Sequence, residues 1–353
     1  MTTPSSPCSC TPDTDPALCS CSGHDRSSGE IRGANSTITF ANRLDHFLAR
    51  WGVNRSGHTV RPGLYRLGNP GPDSPVCASA NYTLSFDALR SALAGTDSYI
   101  LVLDTRGINV WCAAGKGTFG TDELVRQIGE TGLAGIVVHR RVLVPQLGAP
   151  GVSWPDVLRR TGFTVEYGPV RARDLPEYLT AHMATPAMRR VEFPIWDRAV
   201  LAPIELVHVL LPALVAAVAL WFLAGSSAVL AVAAAVLTGT VLFPVLLPYI
   251  PTHDFSTKGF ILGGIAALPF ALLYGTDTRL TGWLAVACAI IPLLIIPAVT
   301  AYLALNFTGS TPFTSRTGVK KEIFRYVPVM ALMAGTGVLL GIALGAGRLL
   351  GMI

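Results

Sequence analysis

Residues 109 to 120 read NVWCAAGKGTFG and hold the side chains best suited to chemistry in this chain. Cys112 stands between Trp111 and the pair Ala113 and Ala114, and Lys116 follows one helical turn later. A thiol acts as a metal ligand or nucleophile in its thiolate form, which a nearby cation or helix N-terminus favours. Lys116 and a helix opening at Thr121 are the groups in this sequence that supply such an environment. The plainer alternative is that Trp111 and Cys112 plug a core. A hydrolase-type cysteine would need a base and a group to orient it. His139 offers the base, but no Asn or Asp is evidently placed behind it.

The same stretch contains GxGxxG at Gly115, Gly117 and Gly120. A dinucleotide turn runs almost directly from strand to glycines, with an acidic residue about twenty positions on. Here RGINVWCAA intervenes after Thr105, and the next apolar run ends in His139, Arg140 and Arg141. A Walker A loop fails as well, because the earlier glycine is missing and Gly117 follows Lys116 where Ser or Thr belongs.

Four further cysteines, Cys8, Cys10, Cys19 and Cys21, make two CxC pairs in a polar tail over residues 1–40. Their spacing matches neither a zinc ribbon nor the common cluster-binding runs. A disordered tail and capture of a soft metal by thiolates both remain open. Cys77 and Cys288 read as packing residues.

The elements that must position Cys112 come next. From about residue 75 to 185, short β-branched runs alternate with amphipathic segments, the pattern of a parallel sheet flanked by helices. Strands are expected at 99–105, 134–139 and 163–168, and helices at 121–132, 152–162 and 174–183, with Thr121 or Asp122 as an N-cap. Ligands of such sheets sit beyond the carboxyl ends of the strands. That puts Asp104 to Gly107, His139 to Arg141, Gly168 to Arg171 and the loop 144–152 at the site. If the residues after Thr105 form a helical turn over the sheet, Cys112 projects from it toward a ligand.

Half of the 353 residues are apolar and only 14% are charged, too hydrophobic for two ordinary soluble domains. Five stretches, about 206–224, 228–250, 259–274, 282–304 and 327–347, are long and apolar enough to span a bilayer. The third is the weakest, interrupted by Gly263, Gly264 and Pro269. The organisation expected is a tail at 1–40, a cytosolic α/β domain at 41–190, a linker or interfacial segment at 191–205 and a membrane domain at 206–353. The first residues contain no apolar core of a secretory signal. Arg189, Arg190, Arg198, Lys258, Arg316, Lys320, Lys321 and Arg325 fall on one side of the spans. This positive-inside pattern predicts a cytoplasmic-membrane protein with its N-terminal domain in the cytoplasm and its C-terminus outside. It also accounts for the net charge of +5 without nucleic acid. A transporter would carry ionisable groups within its spans. Only His208, His253 and Asp254 come close.

NVWCAAGKGTFGT, VPQLGAPGV, GFTVEYGPVRARDLPEYL and ATPAMRRVEF together resemble the corrinoid-binding domain of the corrinoid iron–sulfur protein of acetyl-CoA synthesis. With a cysteine in the cap and spans appended, the chain over roughly residues 75 to 350 more closely resembles the membrane-anchored corrinoid proteins of microbial mercury methylation. The resemblance implies a Rossmann-like corrinoid domain followed by an all-α membrane domain. It implies that Cys112 is the lower axial ligand of cobalt, within a cap formed by Asn109, Val110, Trp111, Cys112, Ala113, Ala114, Gly115 and Lys116. Ala113 and Ala114 would admit the macrocycle closely, and Gly115 and Gly117 would turn the chain out of the cap. Thr105, His139, Gly148 and Gly168 are further cofactor-binding expectations. The DxHxxG motif that supplies histidine in other corrinoid domains is absent.

The activity implied is a corrinoid-dependent methyltransferase, moving a methyl group from methyl-cobalt(III), formally as a carbanion, to Hg(II). The alternative is a membrane-anchored corrinoid methyl carrier serving a partner enzyme of one-carbon metabolism. The implied partners are a ferredoxin-like iron–sulfur electron donor and a methyl-tetrahydrofolate-type methyl donor system. Cys8, Cys10, Cys19 and Cys21 are candidates for Hg(II) capture. The segment 305–322, LNFTGSTPFTSRTGVKKE, is expected as a cytosolic loop that either meets the corrinoid domain or redox partner, or serves only as a polar anchor.

Overall fold

The computed structural model describes residues 30–54, 56–280, 282–311 and 313–351. The cysteines at 8, 10, 19 and 21 lie outside them. The chain forms two compact units, one built on Ser56–Arg189 with the residues up to Thr39, the other on Phe40–Arg55 with the chain from Arg190 onward.

In chain order the elements up to Arg189 are β1 (Arg32–Ala34), α1 (Phe40–Arg50), β2 (Gly63–Leu67), β3 (Val76–Ala80), α2 (Thr83–Ala92), β4 (Ser98–Leu103), α3 (Val110–Lys116), α4 (Thr121–Glu130), β5 (Arg141–Val144), α5 (Trp154–Thr161), β6 (Thr164–Tyr167) and α6 (Leu175–Ala181). The sequence assigns residues 41–55 to the α/β domain, but α1 groups with the second unit.

The sheet has strand order β1-β2-β4-β3-β5-β6. β4, β3, β5 and β6 are parallel, whereas β2 runs antiparallel to β4, so the sheet is mixed rather than wholly parallel. Residues 68–75 join β2 to β3, too few for the crossover that parallel strands require. β3 and β4 are buried along their whole length, as the central strands of a sheet covered on both faces must be. Their side chains alternate between two cores. Leu101 and Leu103 join Ala113, Phe119, Leu124, Val157 and Phe163 on one face. Ile100 and Val102 join Cys77, Phe86, Leu175 and Tyr178 on the other.

Two sequence expectations are corrected. Residues 134–139 are not a strand: Gly132 turns the chain at φ 61°, Leu133–Gly135 forms a single helical turn, and the strand starts at Arg141. Leu133 and Val137 still enter the core, but Val138 is 67% exposed, so the β-branched run has no buried strand face to fill. The N-cap of α4 is Gly120, not Thr121 or Asp122. The Thr121 hydroxyl instead accepts the Ser153 amide at 2.8 Å.

The second unit continues with α7 (Ile195–Ala199), α8 (Ala202–Ala224), α9 (Ser226–Leu237), α10 (Phe243–Leu246), α11 (Phe255–Gly275), α12 (Gly282–Asn306) and α13 (Arg316–Leu349). A π-turn over Thr238–Leu242 joins α9 to α10. Five helical runs among the described residues are long and apolar enough to cross a membrane. Of the glycines that interrupt the third, Gly263 lies against a neighbour, where a Cβ would lie 2.6 Å from Pro297 Cα, whereas Gly264 meets nothing within 4 Å; one turn earlier, a Cβ at Gly259 would lie 2.5 Å from Ala301 Cα. Small residues one turn apart let α11 and α12 approach backbone to backbone, the usual way membrane helices pack.

The expected loop at 305–322 is largely helical. Phe307–Ser310 is a single turn, and Ser315 caps α13 by accepting the Gly318 amide at 3.1 Å, so Lys320, Lys321 and Arg325 project from a helix. Two of its hydroxyls are engaged within this unit. Ser310 Oγ donates to Glu205 Oε1 at 2.6 Å, and Thr314 Oγ1 donates to the Thr308 carbonyl at 2.7 Å. Lys258 is buried, and its ammonium donates to the carbonyls of Leu247 and Ile250 at 2.8 and 2.7 Å.

Candidate functional site

The chain leaves β4 at Leu103, loops through Asp104–Ile108 and enters α3. Asn109 is the N-cap, its side-chain oxygen accepting the Cys112 amide at 2.9 Å. Gly117 closes the helix in the left-handed region at φ 82°, a conformation that suits glycine. Gly115 lies inside α3 with no positive φ, so only the second of the two glycines turns the chain. Gly117 and Gly120 thus cap and connect helices, so close together that a Cβ at Gly120 would lie 2.8 Å from the Gly117 carbonyl oxygen.

α3 has an inner and an outer side. Ala113 and Ala114 are buried, and Val110 packs half-buried on the same core. The small size of Ala114 seats α3 against the turn Gln146–Gly151, where a Cβ at Gly151 would collide with the Phe119 carbonyl and lie 3.1 Å from Ala114 Cα. Trp111 and Cys112 are half-buried, and Asn109, Gly115 and Lys116 are exposed. Cys112 is not in a disulfide, and Lys116 follows it by one turn.

The loop before α3 is held by Asn81, at the carboxyl end of β3. Its Oδ1 accepts the amides of Thr105 and Gly107, each at 3.0 Å, and lies 2.8 Å from Thr105 Oγ1. Its Nδ2 donates to Asp104 Oδ1 at 3.2 Å. Asp104 Oδ1 also accepts the Arg106 amide at 3.0 Å, and the Asp104 amide donates to Glu123 Oε1 of α4 at 2.7 Å. Arg106 (φ 59°) and Gly107 (φ 69°) are consecutive left-handed residues, a strained turn that this network holds. The sequence reading missed Asn81 and Glu123. The signal available was an Asn ending the apolar run VCASA, which becomes informative only once that run is known to be a strand.

The remaining predicted residues divide. Thr105 is fully buried, its hydroxyl 2.6 Å from the Ile108 carbonyl. Gly148 is buried in the turn after β5, where a Cβ would lie 2.5 Å from the Phe119 ring. Gly168 follows β6, and its amide donates to the Val144 carbonyl at 2.9 Å. His139 is corrected: it precedes β5 and so lies at the amino end of that strand, away from the carboxyl ends that carry α3. Its Nε2 is 2.9 Å from the Ser74 carbonyl and its Nδ1 accepts the Arg141 amide at 3.3 Å, so both ring nitrogens are engaged by backbone.

The carboxyl ends of β3, β4, β5 and β6 thus bring together Asn81, the loop to α3, the turn Gln146–Gly151 and Gly168, with Cys112 on the outer side of the helix they support. Among the described residues, no three His, Cys, Asp or Glu side chains converge on a metal-binding arrangement.

Residues 52–179, just over a third of the chain, match the family model described as CO dehydrogenase/acetyl-CoA synthase delta subunit. The similarity is to subunits of acetyl-CoA synthesis. A gamma subunit of the acetyl-CoA decarbonylase/synthase complex from Methanopyrus kandleri is 35% identical over 127 residues, covering 35% of this chain and 27% of the relative. Its counterpart from Archaeoglobus fulgidus is 35% identical over 113 residues, covering 31% and 24%. That from Methanothermobacter thermautotrophicus is 28% identical over 184 residues, covering 46% and 40%. The chain therefore spans about a quarter to two fifths of the length of these relatives. None of the three carries a name from mercury methylation.

Proposed function

We propose that the α/β unit is a Rossmann-like corrinoid-binding domain and that the chain is a membrane-anchored corrinoid methyl carrier of one-carbon metabolism. The observation that carries this reading is Cys112, half-exposed on a capped helix at the carboxyl edge of the sheet, within the segment similar to acetyl-CoA decarbonylase/synthase subunits. The order β4-β3-β5-β6 is that of doubly wound sheets, in which ligands sit outside the carboxyl ends where the order reverses.

A corrinoid bound there would supply the cobalt–carbon bond. Cys112 would hold the cobalt as a strongly electron-donating thiolate. Asn109 holds the Cys112 amide, Trp111 would pack against the corrin or the sheet, and Lys116 would meet the corrin's amide side chains. The partners on this reading are a ferredoxin-like iron–sulfur electron donor and a methyl-tetrahydrofolate-type donor. The unit faces the cytoplasm at the cytoplasmic membrane.

The combination of a cap thiol with five apolar helices favours a second reading, transfer of the methyl as a carbanion to Hg(II), with Cys8, Cys10, Cys19 and Cys21 delivering the metal. Full-length protein loaded with methylcobalamin tests both. Cys112→Ala is expected to change the corrinoid absorption spectrum while leaving the far-ultraviolet circular dichroism unaltered; identical spectra would remove the axial thiolate. Methylmercury formed from added Hg(II) only when Cys112 is present would favour the second reading, and none from loaded wild type the first.

A further inference from the structure

α1 is amphipathic, but it is oriented against the usual sense for a water-soluble protein. Phe40, Leu44 and Phe47, with Trp51 just past the helix end, recur at helical spacing and make one stripe, and all are exposed, with Phe40 at 81% and Phe47 at 54%. The opposite side, Asn42, Asp45, His46 and Ala49, is the half-buried one, and no residue of the helix is fully buried. Arg43 and Arg50, both exposed, border the stripe on one rim. The end of the helix is fixed within the same unit: Gly52 turns at φ 70°, and a Cβ there would lie 2.6 Å from Ile204 Cδ1, in the first turn of α8. α8 belongs to the first of the five runs able to cross a membrane, and its Leu211, Val215, Val218 and Phe222 are likewise exposed. A water-facing helix that turns four large apolar side chains outward loses their burial energy, whereas a lipid boundary supplies it.

We propose that α1 lies in the plane of the bilayer interface, its apolar stripe at the headgroup–acyl boundary of the membrane that α8 enters. Arg43 and Arg50 reach up along the rim to anionic headgroups, the position that long basic side chains take at such a boundary. The chain then meets the membrane on both sides of Ser56–Arg189, at α1 before it and at α8 after it. The inference rests on the membrane reading of the five apolar helices, and the experiment separates the two.

Full-length protein carrying photoreactive benzoylphenylalanine at Leu44, Phe47, Asn42 or Leu214 would be reconstituted in vesicles of phosphatidylethanolamine and phosphatidylglycerol, irradiated and analysed by mass. Lipid adducts are expected at Leu44, Phe47 and Leu214 and not at Asn42. Adducts at Leu214 with none at Leu44 or Phe47, or cross-links from these two to protein, would overturn the interfacial helix. Absence at Leu214 as well would overturn the membrane reading and this inference with it.

Discussion

The Asn81 carboxamide serves the amides of Thr105 and Gly107 and the carboxylate of Asp104 from one position at the end of β3. Asn81→Ala leaves two buried or half-buried donors unmatched, each costing about 1–3 kcal/mol. The expected result is a lower unfolding temperature and faster hydrogen exchange at Thr105 and Gly107. Unchanged exchange would show that the loop holds itself. Cys77 gives a pH dependence: burial pushes its thiol from 9.0 to about 12. A folded pKa above the unfolded one means that this stabilisation is complete below about pH 9 and is lost as the pH rises toward 12. Cys77→Ala should therefore flatten the fall of the unfolding midpoint above pH 9, whatever it does to stability at neutral pH. Cys112 could be singled out in the sequence because a thiol one helical turn from a cation is a candidate ligand. Asn81 was not, because its importance comes from loops 23 to 26 residues distant that only the folded sheet brings to it.

α3 is seated through Ala114 against Gly151, and α11 meets α12 through the same device at Gly259 and Gly263. Gly263→Leu should overpack that contact at a cost of about 1–3 kcal/mol. The expected readout is a lower thermal midpoint in detergent, with Gly264→Leu, which meets nothing within 4 Å, as the tolerated control. Equal effects of the two would place the packing elsewhere. Helix existence was legible for α4, α5 and α6 from their apolar spacing and start signals. The strand at 134–139 was misread because GIVVH and RVLV look alike by composition, and local propensity does not say which one a neighbouring strand will pair.

The whole chain combines a mixed α/β unit with a helical unit whose five long runs are apolar. Lys320, Lys321 and Arg325 at the start of α13 contrast with the short Thr276–Leu280 link between α11 and α12, which holds one acidic and one basic residue. On the membrane reading proposed above, the positive-inside rule predicts the first turns of α13 in the cytoplasm and its far end outside. A C-terminal alkaline phosphatase fusion is expected to be active and a C-terminal green fluorescent protein fusion dark; the reverse pattern would invert the topology or remove a span.

By itself the sequence determined that a thiol stands in a helical cap after a buried strand, and that the C-terminal half holds apolar runs long enough to cross a bilayer. Both follow from local composition and period, which neighbouring residues carry. Tertiary structure decided which side each element buries. Ala113 and Ala114 turned inward, His139 fell at the amino end of its strand, and α1 kept its polar side half-buried and its apolar stripe exposed. Period gives an amphipathic element two faces. Which face is covered depends on partners distant in sequence, and only the packed chain supplies them.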